Sequence, residues 1–78
     1  MKRLILMRHG KAERSNPGGD FARALADRGL SDAALMGRLL LDEGLVPDIG
    51  LVSAARRTQQ TWDQVSLSFP KAATTSLP

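Results

Sequence analysis

The chain has 78 residues, no cysteine, one histidine and a formal net charge of +3. That length allows one small domain, burying about 60–65% of its unfolded surface, and the lack of cysteine excludes a disulfide framework or a thiolate metal site. The apolar runs Leu4–Met7 and Leu39–Leu41 fall far below the ~20 residues of a membrane span, and the run after Met1-Lys2-Arg3 is too short for a secretion signal, so a soluble, cytoplasmic chain with no membrane partner is expected.

In chain order, the first predicted element is a strand over Lys2–Met7, apolar on both faces as a central parallel strand would be. Residues Gly10–Asp27 read mostly as loop, since Ser15-Asn16-Pro17-Gly18-Gly19-Asp20 holds turn formers only, with a short helical turn around Phe21–Ala26. Ser31 is the expected N-cap of a first helix, with Asp32 in its first turn. Ala34, Leu35 and Leu39, flanked by Leu41 or Met36, form an apolar stripe at helical spacing. Gly37 within that helix implies a close approach to the sheet, and Gly44 fits the left-handed residue that ends it, with Leu45 folding back. Ile49-Gly50-Leu51-Val52 reads as a second strand. A second helix is predicted from Ser53 to about Ser66, with Trp62 and Val65 in the core and Pro70 as its stop. Lys71–Pro78 reads as a weakly polar tail. The order strand, helix, strand, helix predicts an α/β parallel crossover unit.

Two clusters carry chemistry. Arg8-His9-Gly10 stands where the first strand runs out, the edge at which open α/β sheets place ligands. Neutral imidazole is a good nucleophile near pH 7, arginine matches phosphoryl oxygens, and glycine permits a sharp turn and close approach. The second cluster is Ser53 to Thr61. Arg56 and Arg57 there crowd two cations at a helix N-terminus, which is unfavourable unless an anion binds. They point about 100° apart, so one is expected to serve a ligand and the other to be solvated. Parallel strands bring Arg8, His9, Ser53 and Arg57 to one sheet edge and predict a phosphate pocket with a nucleophile. Basic residues are scattered, and Phe21, Trp62 and Phe69 do not alternate with them, which excludes a nucleic-acid surface.

Three segments resemble one family. Leu6-Met7-Arg8-His9-Gly10-Lys11-Ala12-Glu13 resembles the signature of the histidine phosphatase superfamily, also called phosphoglycerate mutase-like. Arg23 to Gly29 resembles its R-P-L-T-x-x-G segment, and Ser53 to Thr61 its S-P-x-x-R-A-x-Q-T segment, with Ala24, Ala26 and Ala54 departing from the usual residues. The short insert after Arg-His-Gly-Lys-Ala looks most like the SixA-type phosphohistidine phosphatases. The phosphate-contacting Asn of the mutase branch falls at Ser15, with Asn16 next.

The resemblance implies a three-layer α/β/α fold with a mainly parallel sheet. It implies that His9 accepts the phosphoryl group, that Arg8 and Arg57 hold its oxygens, and that Gly10, Ser53 and Arg23 shape the phosphate-binding pocket. It implies no metal and no cofactor. Glu13 and Asp20 are the candidate general acids. The substrate expected is a phosphohistidine protein or another phosphomonoester. The alternatives are a small phosphorylated metabolite, handled by a phosphatase or mutase, and a non-catalytic anion-binding fragment. The family's second catalytic histidine has no counterpart here, so residues 1–78 are expected to be the N-terminal half of a single domain, its C-terminal half absent. Open sheet edges and an uncovered face then lead to an expectation of poor stability or self-association. Circular dichroism melts at low concentration measure this; a sharp monomeric transition would refute it.

Overall fold

The computed structural model describes residues 3–78; Met1 and the expected strand residue Lys2 lie outside the described residues. A 3-10 turn at Asp20–Ala22 precedes helix α1, Asp27–Asp42. Strand β1, Ile49–Ser53, leads to helix α2, Arg56–Val65, a 3-10 turn at Ser66–Ser68, and strand β2, Ala73–Leu77. β1 and β2 are parallel, with Ile49 opposite Ala73 and Ser53 opposite Leu77. α2 is therefore the crossover between neighbouring strands.

This parallel unit lies one step later in the chain than the sequence predicts. The tail expected after Lys71 supplies β2, and the Leu4–Met7 run joins no ladder among the described residues. Leu4 and Leu6 are 80% and 87% exposed. An apolar run becomes a strand only where a neighbour takes its backbone groups. β2 escapes sequence reading for the opposite reason: every residue of it is exposed, so backbone pairing to β1 holds it and no apolar alternation marks it.

α1 begins four residues before the expected cap. Ala26 stands at the N-cap in extended conformation without a side-chain cap. Its N–H instead donates to the Lys11 carbonyl at 2.8 Å, while its own carbonyl accepts from Leu30. Asp27 in the first turn complements the helix dipole. The far end matches the glycine signal: Gly44 has φ +72°. Its N–H donates to Leu41, and Leu45 N–H reaches back to Leu40 at 2.8 Å, the paired closure of a Schellman motif.

The buried face of α1 also differs from the expected stripe. Gly29, Ala33 and Gly37 are buried, whereas Leu35, Met36, Leu39 and Leu41 are exposed. Small residues at successive turns let α1 approach the α2 backbone. A Cβ on Gly37 would lie 2.5 Å from the Val65 carbonyl oxygen, so the close approach is to a helix and not to the sheet. Ala33, Val65 and Phe69 form the core, with Leu40, Trp62 and Ala72 against it. Trp62 covers Gly50 of β1, and its indole N–H donates to Thr74 Oγ1 of β2 at 2.6 Å.

A short antiparallel bridge between Ala12 and Leu25 closes the long loop. Glu13 N–H donates to the Ala24 carbonyl at 2.9 Å, and Ala24 N–H returns to Glu13 Oε1 at 2.8 Å. Asn16 Nδ2 donates to the same oxygen at 2.8 Å. These donors hold the Glu13 carboxyl below its ordinary range, the Asn16 bond contributing most. Gly29 packs directly on the Lys11 backbone, and Leu25 N–H donates to Gln60 Oε1 of α2 at 2.7 Å. The loop base is thus tied to both helices. Among the described residues, no helix is long and apolar enough to cross a membrane.

Two measurements check this account. Glycine to alanine inside a helix ordinarily adds about 1 kcal/mol, but overpacking costs about 1–3 kcal/mol. Gly37→Ala is therefore expected to lower the denaturation midpoint; a raised midpoint would show that the helices are not in backbone contact. A carboxylate whose pKa is depressed by folding adds stability above its unfolded value, 4.5 for Glu13, and loses it as pH falls through the folded value. The wild type is expected to exceed Glu13→Gln in stability at neutral pH, with the gap closing on acidification. A gap of equal size in acid would contradict the role of the ionised carboxylate.

Candidate functional site

Three chain segments meet at Arg57. It lies in the first turn of α2, whose N-cap is Ala55. The Ala55 carbonyl accepts from Thr58 and Gln59 N–H, both at 3.0 Å, and starts the helix without a side-chain cap. Ser53, the expected cap, stays in β1. Its Oγ accepts from Ala55 N–H at 3.3 Å and its carbonyl from Gln59 Nε2 at 2.8 Å. Buried Thr61 donates its hydroxyl to the Arg57 carbonyl at 2.8 Å, bracing the turn that carries the arginine.

Every side-chain nitrogen of Arg57 is engaged. Nε donates to His9 Nε2 at 3.2 Å. One terminal nitrogen donates to the Asp20 carbonyl at 2.8 Å, and the other to Asp20 Oδ2 at 3.2 Å. His9 Nδ1 lies 2.9 Å from the Gly10 carbonyl oxygen. A carbonyl only accepts, so Nδ1 carries the proton; Nε2, facing an N–H donor, presents its lone pair. Both contacts select one neutral tautomer, with the lone pair on Nε2.

Arg23 stands across the site. Its Nε donates to the Glu13 carbonyl at 2.8 Å, and a terminal nitrogen donates to Asp20 Oδ1 at 3.0 Å. One carboxylate therefore joins two guanidinium groups. Arg23 first and Arg57 second hold the Asp20 carboxyl below its ordinary value. Glu13 and Asp20 are accordingly ionised at neutral pH. Arginines and amides stabilise the anionic form of both candidate acids.

Of Arg8, His9, Ser53 and Arg57, expected together at one sheet edge, the structure joins His9 and Arg57, and Arg23 reaches Arg57 through Asp20. Arg56, the neighbour on the other side of the turn, is exposed. Arg8 is exposed too, and among the described residues its side chain does not join the hydrogen-bonded cluster. The reason is local: without a strand ladder over residues 3–10, nothing fixes alternate residues to one face. Ser53 bonds within its own turn. Gly10 has no positive φ and lies at no bend; it packs against Gly29, whose Cα would lie 3.2 Å from an added Cβ. Gln60 escaped the sequence reading, although it lies within the Ser53–Thr61 segment; its spacing from the arginines was the available signal. Among the described residues, His, Cys, Asp and Glu do not gather three together as a metal site requires.

Comparison with known proteins adds to this geometry. The family profile of the histidine phosphatase superfamily, branch 1, matches residues 4–76. A comparison with curated protein sequences finds no significant match. SixA of Agrobacterium tumefaciens superposes with a TM-score of 0.83 at 32% identity, over 91% of this chain and 47% of that one. SixA of Nakamurella multipartitia gives 0.78 at 29% identity, over 92% and 39%. The protein histidine phosphatase SixA complexed with tungstate gives 0.78 at 31% identity, over 92% and 46%. The chain thus spans less than half the length of these structures. With the profile running through both arginine-bearing segments, the chain belongs to the histidine phosphatase superfamily and carries the N-terminal part of its α/β fold.

Proposed function

We propose that this chain supplies the nucleophile half of a metal-independent phosphatase acting on phosphohistidine or another phosphomonoester. The observation that supports it most is the pairing of an unprotonated His9 Nε2 with the Arg57 fork at 3.2 Å. Residues 1–78 are read as the N-terminal half of a single domain, and the activity belongs to the whole domain.

The Nε2 lone pair attacks phosphorus and forms an N–P bond, while the bond from phosphorus to the leaving imidazole or alkoxide breaks. The leaving group takes a proton from solvent water as it departs, and the attacking water of the second step gives one back. Water then attacks the phosphoryl group, the N–P bond breaks, and inorganic phosphate is released with His9 neutral again. Net, one water is consumed. Arg57 and Arg23 offer donors to the equatorial oxygens, where charge is greatest as phosphorus is transferred. Arg8, Gly10 and Ser53 stay in the proposal as residues of the pocket rim. SixA in complex with tungstate offers a parallel, since tungstate is a tetrahedral oxyanion like phosphate. A phosphohistidine protein is the proposed substrate, and a soluble cytoplasmic setting fits such a partner.

In the complete domain, His9→Ala is expected to abolish the acid-labile phosphoenzyme and to lower turnover at least about a thousandfold. Arg57→Ala is expected to cost about 10²–10³-fold in kcat. Full turnover in His9→Ala, or a strict requirement for a divalent metal, would overturn the reading. A His9 that takes no label while phosphate still binds would instead mark a non-catalytic anion-binding module.

A further inference from the structure

We propose that Asp20 is an internal competitor for the phosphoryl group, occupying the two arginines in the resting site and speeding the release of product phosphate. The inference rests on the reading of His9 and Arg57 as a phosphoryl site. Asp20 offers one oxygen to each arginine: Oδ1 to Arg23 at 3.0 Å and Oδ2 to Arg57 at 3.2 Å. A tetrahedral oxyanion would bridge the two guanidinium groups in the same way. Of the five N–H donors of Arg57, Nε gives one to His9, one terminal nitrogen gives one to the Asp20 carbonyl and the other gives one to the Asp20 carboxylate. A phosphoryl group that bridges the two guanidinium groups takes over the N–H donors now given to the Asp20 carboxylate.

The three side chains are not equally fixed. Arg57 is 17% exposed and Arg23 27%, whereas Asp20 is 64% exposed. Arg57 is set by α2 and Arg23 by the Glu13 carbonyl. Asp20 sits on a three-residue turn after Gly19, which has φ +95° and open space around it. The arginines are the walls of the site and the carboxylate is its movable lining. Ion pairs this exposed are weak enough to exchange. A phosphoryl dianion brings more charge and more acceptor oxygens than one carboxylate, so it displaces Asp20 from the arginines. When product phosphate forms, Asp20 competes for the same donors and opposes rebinding.

Inorganic phosphate is the probe, titrated calorimetrically into the wild type, Asp20→Asn and Asp20→Ala. Both variants are expected to bind phosphate about three- to fivefold more tightly, the size of effect an exposed ion pair supplies. In turnover, the inhibition constant for product phosphate falls by the same factor. Equal or weaker binding in both variants would overturn the proposal, since a carboxylate that merely orients the arginines would weaken binding when removed. A second measurement needs no variant. The 13C signal of the wild-type Asp20 carboxylate is expected to move toward that of a free aspartate as phosphate saturates; a signal that does not move would overturn the proposal. Tighter phosphate binding by Asp20→Asn in a protein whose His9 never becomes phosphorylated would sink the catalytic reading and leave this one standing.

Discussion

Arg57 is the point through which the parts of this molecule reach one another. Its position is set by the first turn of α2, and its three nitrogens extend to the histidine of the N-terminal segment and to both the backbone and side chain of Asp20. The segment over residues 3–10 has no ladder of its own. Its histidine is therefore placed by Arg57 from outside at one ring nitrogen and by the neighbouring Gly10 carbonyl at the other. A planar fork suits this task because its donors diverge in fixed directions. The same two contacts that place the ring also choose its tautomer, so orientation and protonation pattern have one cause.

Behind the arginine lies a packing constraint. α2 can carry Arg57 to the site only if it is held firmly, and α1 holds it by backbone proximity through Gly37 against Val65. The start of α1 is held in turn by the loop base, through Ala26 to Lys11 and Gly29 on Lys11. Gln60 bonds Leu25 and closes the circuit back to α2. Fold and site therefore share their supports: the bonds that close the loop at Lys11 and Ala12 hold the chain two residues after His9. The cost of this arrangement is visible on the outer surface. Leucines of α1 that would ordinarily face a core are exposed because small residues have taken its contact face, and Ile49 and Leu51 are exposed on the face of β1 opposite buried Gly50 and Val52.

How far this could be read from the sequence varies with the kind of signal. Gly44 was legible because a left-handed C-cap has one dominant chemical solution. β1 and α2 were legible because an apolar run and a periodic segment flank a turn. The start of α1 was not, because a tertiary bond from Ala26 to Lys11 replaces the side-chain cap that Ser31 offers. Its buried face was not, because periodicity weights leucine over glycine, and here close approach selects glycine and alanine. β2 was not, because pairing without burial leaves no pattern. Within the site, His9, Arg23 and Arg57 stood out as motif residues. The function of Asp20 did not, since a loop carboxylate three residues before an arginine is common, and only the fold brings the second arginine to it.

The coupling of His9, Arg57 and Asp20 predicts what an anion does on arrival. A crystal structure of the protein grown with inorganic phosphate is the most direct measurement. It is expected to show phosphate oxygens on the guanidinium groups of Arg57 and Arg23, phosphorus facing His9 Nε2, and Asp20 turned away into solvent. Phosphate bound elsewhere, with Arg57 still joined to Asp20 and His9, would contradict the account.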